Sequence, residues 1–181
     1  MVGDVRIRRR QDRVGIPIGS RIFEEKKRMN ILVSPHADDE LIGAYSLIKS
    51  GQIDKVVYLD TPPERFKLAE RVGDDFGFMG QTIDIRQLFD IMIPEEDNVW
   101  FIPDIMDSHL LHKAANCIGR LSGCRLGYFT INMNTGYIKE LSAKDKEEKR
   151  AVLNKYYPDQ SSLWENDWKY FLFEGVVSET I

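Results

Sequence analysis

The sequence predicts an α/β fold built on a mostly parallel sheet with helices on both faces. Two patterns predict it: short apolar runs typical of buried strands, and amphipathic segments that alternate with them along the chain. The length of 181 residues, with 43% hydrophobic and 30% charged residues, suits a single globular domain. Ligands bind such sheets at the carboxyl ends of the strands, so functional residues are expected in the loops that follow the strands.

The first half of the chain gives the clearest alternation. Its predicted elements are a strand at 29–34, a helix at 39–50, a strand at 55–60 and a helix from Pro62 to about Phe76. The runs MNILVS and KVVYLD mark the strands, and one apolar stripe marks the first helix: Leu41, Ile42, Tyr45 and Ile48. Gly51 and Gly77 follow the two helices, and glycine is the residue that most often ends a helix.

The second half predicts further elements of the same kind. They are weaker strands at 83–85 and 89–93, a helix at 108–121, a strand at 126–132, a helix from a cap at Ser142 to about Tyr156, and a late strand at 171–177. Aromatic residues crowd the final segment: Trp164, Trp168, Tyr170, Phe171 and Phe173. They favour core packing or a subunit contact, and a platform for a sugar ring is the alternative.

The composition excludes several classes of protein. No apolar run approaches the roughly 18 residues of a membrane span, and no apolar stretch follows the basic residues near the N-terminus as it would in a secretory signal. Two cysteines, Cys117 and Cys124, are too few for a disulfide framework. We therefore expect a soluble, cytoplasmic protein with two reduced thiols and no transmembrane segment.

Charge divides the chain into a basic N-terminal arm, residues 1–28, and an acidic domain, residues 29–181. Nine lysines and arginines against four acids give the arm a net charge of +5, so within a total of −4 the rest of the chain carries −9. A solvated lead-in is one interpretation of the arm. The other is a segment that binds the phosphates of a nucleic acid or of a nucleotide-linked substrate.

A first cluster of candidate site residues follows the first predicted strand. It reads Pro35-His36-Ala37-Asp38-Asp39-Glu40. Adjacent carboxylates repel one another and resist burial, and a divalent cation relieves that conflict. His36 and one aspartate would bind the cation, and the other aspartate would act as a base. Alone, the cluster is explained equally well by an aspartate that caps the next helix beside an incidental histidine.

A second cluster holds the other two histidines of the chain. It reads Asp107-Ser108-His109-Leu110-Leu111-His112, at the predicted start of a helix. Catalytic zinc sites commonly have three protein ligands and leave a fourth position for water. His36, Asp39 and one of these two histidines supply that number, which leaves the other histidine free as an acid or an oxyanion donor. A pair of surface histidines is the alternative, but two such clusters together indicate one shared metal site.

With these residues, the chain resembles the PIG-L/LmbE-like family of zinc-dependent N-deacetylases. The family's first motif, P/A-H-P-D-D-E, reads PHADDE here, with Ala37 for the proline. Its second motif, H-P-D-H after an acidic residue, reads HLLH after Asp107. The first motif matches the family more closely than the second. In the second, Leu110 and Leu111 replace the proline and an aspartate that supports the site in the family. The resemblance covers about residues 29–175 and implies a Rossmann-like three-layer sandwich.

The resemblance also implies roles for individual residues. His36, Asp39 and His112 correspond to the metal ligands, Asp38 to the general base, and His109 to the residue that stabilises or protonates the reacting centre. The metal would be Zn²⁺, with Fe²⁺ or another divalent ion as the alternative. Arg65 matches a substrate-binding arginine, although an exposed helix arginine is an equal explanation. The tract Tyr157-Pro158-Asp159-Gln160 resembles a tyrosine-x-serine-glutamine tract of relatives.

The expected function is removal of an N-acetyl group from an N-acetylglucosamine-type sugar conjugate by a metal-activated water. Two alternatives belong to other classes: a non-catalytic, metal-containing carbohydrate- or nucleotide-binding protein, and a metal-dependent phosphoesterase. The chain has neither a P-loop nor a G-x-S-x-G motif to favour nucleotide hydrolysis or serine chemistry. The carrier of the sugar and the presence of a homo-oligomer are left open by the sequence.

Overall fold

The computed structural model describes residues 28–95, 97–132, 137–162 and 169–178. These residues form strands β1 to β7, which span Asn30–Ser34, Lys55–Leu59, Met79–Ile83, Val99–Pro103, Arg125–Thr130, Lys139–Glu140 and Phe173–Ser178. Helices α1 to α7 span Asp39–Gly43, Tyr45–Lys49, Pro63–Phe76, Leu88–Ile91, Leu110–Ser122, Ala143–Tyr156 and Lys169–Leu172. Short 3₁₀ turns cover Ile85–Gln87 and Pro158–Gln160.

The strands form one mostly parallel sheet, as the sequence predicts. Their order is β3-β2-β1-β4-β5-β7-β6. Strands β1 to β5 pair in parallel, and β7 pairs antiparallel to both β5 and β6. The chain runs outward from β1 through β2 to β3 and then returns to place β4 on the other side of β1. The loops after β1 and β4 therefore flank the point where the strand order reverses, which is where open α/β sheets bind ligands.

Alternate residues of the central strands enter two separate apolar clusters. Leu32 packs in a cluster with side chains of α1, α2, α3 and α6, whereas Ile31 and Val33 pack in another with side chains of α4 and α5. Because successive strand residues point to opposite faces, the side chains of the two faces enter different apolar clusters, and each cluster contains helix residues. The chain is thus an α/β protein whose central strands are buried on both faces, which explains their continuous apolar sequences.

The helix predicted over 39–50 is instead two short helices that meet at Ala44. A continuous helix would pair the amide of Ser46 with the carbonyl of Ile42. Here Ser46 N donates to Glu174 at 2.7 Å, and the carbonyl of Ile42 accepts from Lys149 Nζ at 2.5 Å. Lys149 and Glu174 are both buried, so two side chains from distant parts of the sequence replace one helical hydrogen bond. The prediction of a single helix is therefore wrong.

The weaker strands predicted at 83–85 and 89–93 are also wrong. Asp84 caps a turn in which its carboxylate accepts from Arg86 N and its amide donates to the Gln87 side chain, and helix α4 follows directly. This local capping fixes a helical start before an apolar segment that resembles a strand. The sequence analysis also assigns no strand to Val99–Pro103, yet β4 is buried at every position between β1 and β5.

The long helices follow the sequence closely. Helix α3 begins at Pro63 and ends where Gly77 adopts a φ of 81°. Helix α6 begins after Ser142, whose side chain accepts from Asp145 N. Within the described residues no helix is both long and apolar enough to cross a membrane. Residues 1–27 of the basic arm, and Trp164 and Trp168, lie outside the described residues, so the expectations for them and the domain division remain predictions.

Candidate metal centre and pocket

Two loops bring all three histidines of the chain to one place. The loop from β1 into α1 carries His36, Asp38 and Asp39, and the loop from β4 into α5 carries His109, with His112 in the first turn of α5. Because β1 and β4 are parallel neighbours, the two loops leave the same edge of the sheet. The candidate nitrogen ligands of the three histidines lie within 4.8 Å of one another.

Three atoms in this group form an almost equilateral triangle, which we call the donor triangle. His36 Nδ1 lies 3.1 Å from Asp39 Oδ2, His112 Nε2 lies 3.2 Å from the same oxygen, and the two nitrogens are 3.2 Å apart. Three ligands of a tetrahedral zinc ion, with bonds of about 2.0–2.1 Å, would be separated by about 3.3 Å. The spacing of the donor triangle therefore fits a tetrahedral divalent cation.

The chemistry of the donor triangle also fits a metal. Two imidazoles and one carboxylate are a ligand set of catalytic zinc sites, and the same set binds non-haem Fe²⁺. A cation resolves the convergence of two nitrogen lone pairs on a carboxylate oxygen. The set is thus consistent with a divalent metal ion and leaves its identity open.

Asp39 is held as a carboxylate although it is almost completely buried. Burial opposes its ionisation, but its contacts with His112 and His36 outweigh burial and hold the pKa of Asp39 well below its usual range. Its Oδ2 atom also accepts from the backbone amide of His36 at 2.8 Å. The Asp39 side chain is therefore charged and fixed in direction, as a metal ligand must be.

Asp107 lies beside the Nδ1 atom of His112, on the opposite side of the ring from the donor triangle. The buried Asp107 carboxylate accepts from Thr130 Oγ1 at 2.8 Å and from the amides of Ile131 and Asn132 at 3.1 Å, and its Oδ2 lies 3.4 Å from His112 Nδ1. A hydrogen bond there places the imidazole proton on Nδ1 and leaves Nε2 free toward the donor triangle. Burial alone would lower the pKa of His112, but Asp107 and Asp39 raise it to about 9.

His109 stands outside the donor triangle, where it forms the N-cap of α5. Its Nδ1 atom accepts from the amide of Leu111 at 3.3 Å, and its ring lies edge-on to His36 with the ring centres 4.5 Å apart. Because Nδ1 accepts a hydrogen bond, the neutral ring carries its proton on Nε2. Partial burial and the nearby His36 and His112 lower the pKa of His109. The backbone of Leu111 thus orients this ring.

Asp38 occupies a different environment from Asp39. Its backbone has a φ of 146°, a conformation that non-glycine residues rarely adopt. Its amide donates to Glu40 Oε2 at 3.0 Å, which turns the chain sharply into α1. Burial, followed by repulsion from Asp39 and Glu40, raises the pKa of Asp38 well above its usual range, while Arg65 opposes the shift. Asp38 is therefore a buried carboxyl with a strongly increased proton affinity.

Arg65 of α3 lies beside Asp38 and is already paired. Its Nη2 atom is 3.5 Å from Asp38 Oδ2, and its Nη1 atom donates to both carboxylate oxygens of Asp159, at 2.8 and 2.9 Å. The guanidinium carbon lies 5.3 Å from the ring centre of Tyr157. Tyr157 is fully buried and donates to Glu40 Oε1 at 2.7 Å. Arg65 is thus held between two carboxylates and an aromatic ring.

These groups line a pocket of about 670 Å³ at the carboxyl edge of the sheet. Its walls include the three histidines, Asp38, Asp39 and Arg65, together with Asp60, Thr61, Asn132, Gln160 and Tyr170. The volume suits a small ligand such as a sugar ring with its substituents. Tyr170 is therefore the residue of the aromatic C-terminal segment that the structure brings to the pocket, and the alternative of a sugar platform applies to this residue.

The structure brings together all six residues that the sequence singles out: His36, Asp38, Asp39, Arg65, His109 and His112. The sequence analysis missed the roles of Asp107, Glu40 and Asp159. Asp107 is the first residue of the second histidine cluster, a signal that could have identified it as the partner of a histidine. The contact of Asp159 with Arg65 joins residues 94 positions apart, and no local pattern indicates it.

The state of the two cysteines is the one that the sequence predicts. Cys117 and Cys124 are free thiols in the described part of the chain, the first exposed and the second half-buried.

No protein-family model matches the chain, and no curated protein matches it significantly.

Proposed function

We propose that the chain is a metal-dependent hydrolase of the PIG-L/LmbE-like family, with a Rossmann-like three-layer architecture. It would remove the acetyl group from an N-acetylglucosamine-type conjugate and release acetate and a free amino sugar. The observation that carries the proposal is the donor triangle of His36, Asp39 and His112 beside a second buried carboxyl, Asp38, in one pocket. A structural metal site has no need of a separate carboxyl with raised proton affinity.

His36, Asp39 and His112 would hold the metal. A bound zinc or iron ion supplies a water of lowered pKa and an electrophile for the amide carbonyl. The set of three protein ligands leaves room for that water, which distinguishes catalytic from structural zinc sites. Asp107 keeps His112 in the tautomer that the metal requires.

Asp38 would move the protons of the reaction. It takes a proton from the attacking water and returns it to the departing nitrogen, since an amine leaves readily only when protonated. The raised pKa of Asp38, caused mainly by burial, makes its carboxylate a stronger base toward the attacking water. Arg65 keeps the Asp38 side chain in place.

His109 would stabilise the carbonyl oxygen as negative charge develops on it. With Nδ1 bonded to the Leu111 amide, the neutral imidazole presents an Nε2–H donor. The leucines at positions 110 and 111 remove the side chain that supports this histidine in the family motif, and the backbone amide of Leu111 takes over its orientation. The altered second motif is therefore compatible with activity.

The test is release of acetate from a panel of N-acetylglucosamine conjugates by the purified, zinc-loaded protein. We expect turnover of at least one conjugate, loss of activity with a chelator, and recovery when zinc is added. Asp38→Asn should retain zinc and lose about 10²–10⁴-fold in kcat. Asp74→Asn, an exposed carboxyl on the solvent side of α3, is the matched control and should keep full activity.

Two results would contradict the proposal. Full activity of Asp38→Asn would remove the general base from the mechanism. Zinc binding with sugar affinity but no acetate release from any conjugate would favour the non-catalytic carbohydrate-binding alternative.

A further inference from the structure

We propose that Asp159 is a specificity-determining residue that excludes anionic substrates by occupying Arg65. The proposal rests on the proposed function and adds its substrate class: N-acetylated sugars with no phosphate or carboxylate group at the Arg65 side of the pocket. A sugar with neutral hydroxyls there, or with a cationic group, fits the site better.

The geometry leaves Arg65 few free donors. Its Nη1 atom serves both oxygens of Asp159, at 2.8 and 2.9 Å, and its Nη2 atom faces Asp38 at 3.5 Å. The Tyr157 ring covers one face of the guanidinium. A phosphate is normally bound by an arginine through two parallel N–H groups. Here the carboxylate of Asp159 occupies Nη1 and the carboxyl of Asp38 faces Nη2, so both terminal nitrogens of Arg65 already have an acidic partner.

The position of Asp159 is built into the fold. It lies on the Pro158–Gln160 turn that follows α6, directly after Tyr157, which is buried and bonded to Glu40. The backbone of the turn is thus anchored from the core side. The Asp159 side chain is 57% exposed and that of Arg65 18% exposed, so the carboxylate is the more solvent-exposed member of the pair. Arg65 and Gln160, the residue after Asp159, both line the pocket.

The remaining charges of the pocket act in the same direction. Among the described residues that line it, Arg65 is the only lysine or arginine, whereas the carboxylates are Asp38, Asp39 and Asp60. The positive charge of the metal would be balanced by its ligand Asp39 and by Asp38. An anionic group on the substrate, away from the metal, would therefore meet carboxylates and a neutralised arginine.

Binding of inorganic phosphate tests the inference independently of catalysis. Isothermal titration would compare the wild type, Asp159→Asn and the double variant Asp159→Asn/Arg65→Gln, all with the same metal content. The neutral amide introduced by Asp159→Asn cannot neutralise Arg65, so we expect phosphate to bind the single variant on the order of tenfold more tightly than the wild type. The double variant should return to the wild-type affinity, which would show that the gain depends on Arg65.

Unchanged phosphate affinity in Asp159→Asn would overturn the inference. So would an equal gain in the double variant, because the added affinity would then not involve Arg65. Circular dichroism and thermal melting of all three proteins identify a variant that fails to fold. If Asp159→Asn melts early, Asp159→Ser, with the smaller residue of the family tract, serves as the second variant under the same criteria.

A kinetic comparison links phosphate binding to substrate choice. The ratio of kcat/KM for N-acetylglucosamine to that for its 6-phosphate should fall by about tenfold in Asp159→Asn. An unchanged ratio in an active enzyme would overturn the specificity inference. Absence of turnover in every protein would count against the proposed function instead, and phosphate titration would still decide whether Asp159 occupies Arg65.

Discussion

The two sides of the pocket, one lined by the histidines and the other by Arg65, shift the pKa of neighbouring carboxyl groups in opposite directions. On the histidine side, Asp39 contacts two imidazoles and its pKa is held well below the usual range. On the arginine side, burial and then repulsion from Asp39 and Glu40 raise the pKa of Asp38 well above that range. Both residues are buried and adjacent in sequence. In the proposed function, these different neighbours assign the cation to Asp39 and the proton to Asp38.

This difference is typical of sites that use two carboxyl groups for two purposes. The histidine side is rigid because Asp107, itself held by three hydrogen bonds, fixes His112. The arginine side is held by side chains from α3 and from the turn after α6. Substitutions on the first side should therefore act on metal binding, and substitutions on the second side on proton transfer and substrate choice.

The largest effect is expected from the histidines. His112→Ala removes one corner of the donor triangle, so zinc affinity should fall by more than about 100-fold, the upper effect of losing an outer-shell partner. His109→Ala is the matched control, since His109 is an exposed histidine from the same loop and lies outside the triangle. Metal analysis after dialysis checks both. Equal zinc loss in the two variants would show that His109, too, is a ligand.

The break between α1 and α2 should be the next most sensitive feature. Lys149→Met removes the donor to the carbonyl oxygens of Ile42 and Phe173, and it removes the positive charge that opposes the upward pKa shift of the buried Glu174. We expect the free energy of unfolding to fall by about 2–3 kcal/mol in urea titrations. Lys144→Met, an exposed lysine on the same helix, should change it by less than about 0.5 kcal/mol. Similar values for the two variants would refute this role of Lys149.

Asp107 should have a smaller effect on the metal than a ligand does. Asp107→Asn weakens the hydrogen bond that fixes His112, so zinc affinity should fall by about 10–100-fold. Asp104→Asn is the control from the same loop, because Asp104 bonds to the Met106 amide and to Tyr137 and not to a histidine. Competition with a chromogenic chelator measures both affinities. An effect of Asp104→Asn as large as that of Asp107→Asn would point to general loop damage.

The smallest expected effect depends on pH. Burial raises the pKa of Glu40 to about 7, from an ordinary value near 4.5. The folded wild type therefore binds an extra proton between these values, and its stability declines as pH rises through this window. Glu40→Gln never ionises, so in chelator-treated protein it should gain about 2 kcal/mol over the wild type at pH 8 compared with pH 5. Parallel stability curves over this range would contradict the shift.

The sequence predicts the parts of the molecule that depend on local patterns. The strands at 29–34 and 55–60, the helix that ends at Gly77 and the helix that begins after Ser142 all follow from apolar periodicity and capping residues. The grouping of the histidine clusters follows from their places beside junctions of elements. Such features depend on residues close together in the chain.

The remaining features depend on distant residues. Helices α1 and α2 separate because Lys149 and Glu174, more than 100 residues away, take the hydrogen bonds of Ile42 and Ser46. The pairing of Arg65 with Asp159 spans 94 residues in the same way. Strand β4 is an exception, because it has a local signal of its own, the apolar run VWFIP.

The zinc content of Asp38→Asn and Asp39→Asn, measured side by side, tests the central claim most directly. The two substitutions are chemically identical and concern adjacent buried residues, so they differ only in the neighbours of the lost charge. We expect about one zinc per chain in Asp38→Asn and almost none in Asp39→Asn, with both proteins folded by circular dichroism. Zinc lost from Asp38→Asn, or retained in full by Asp39→Asn, would contradict that claim.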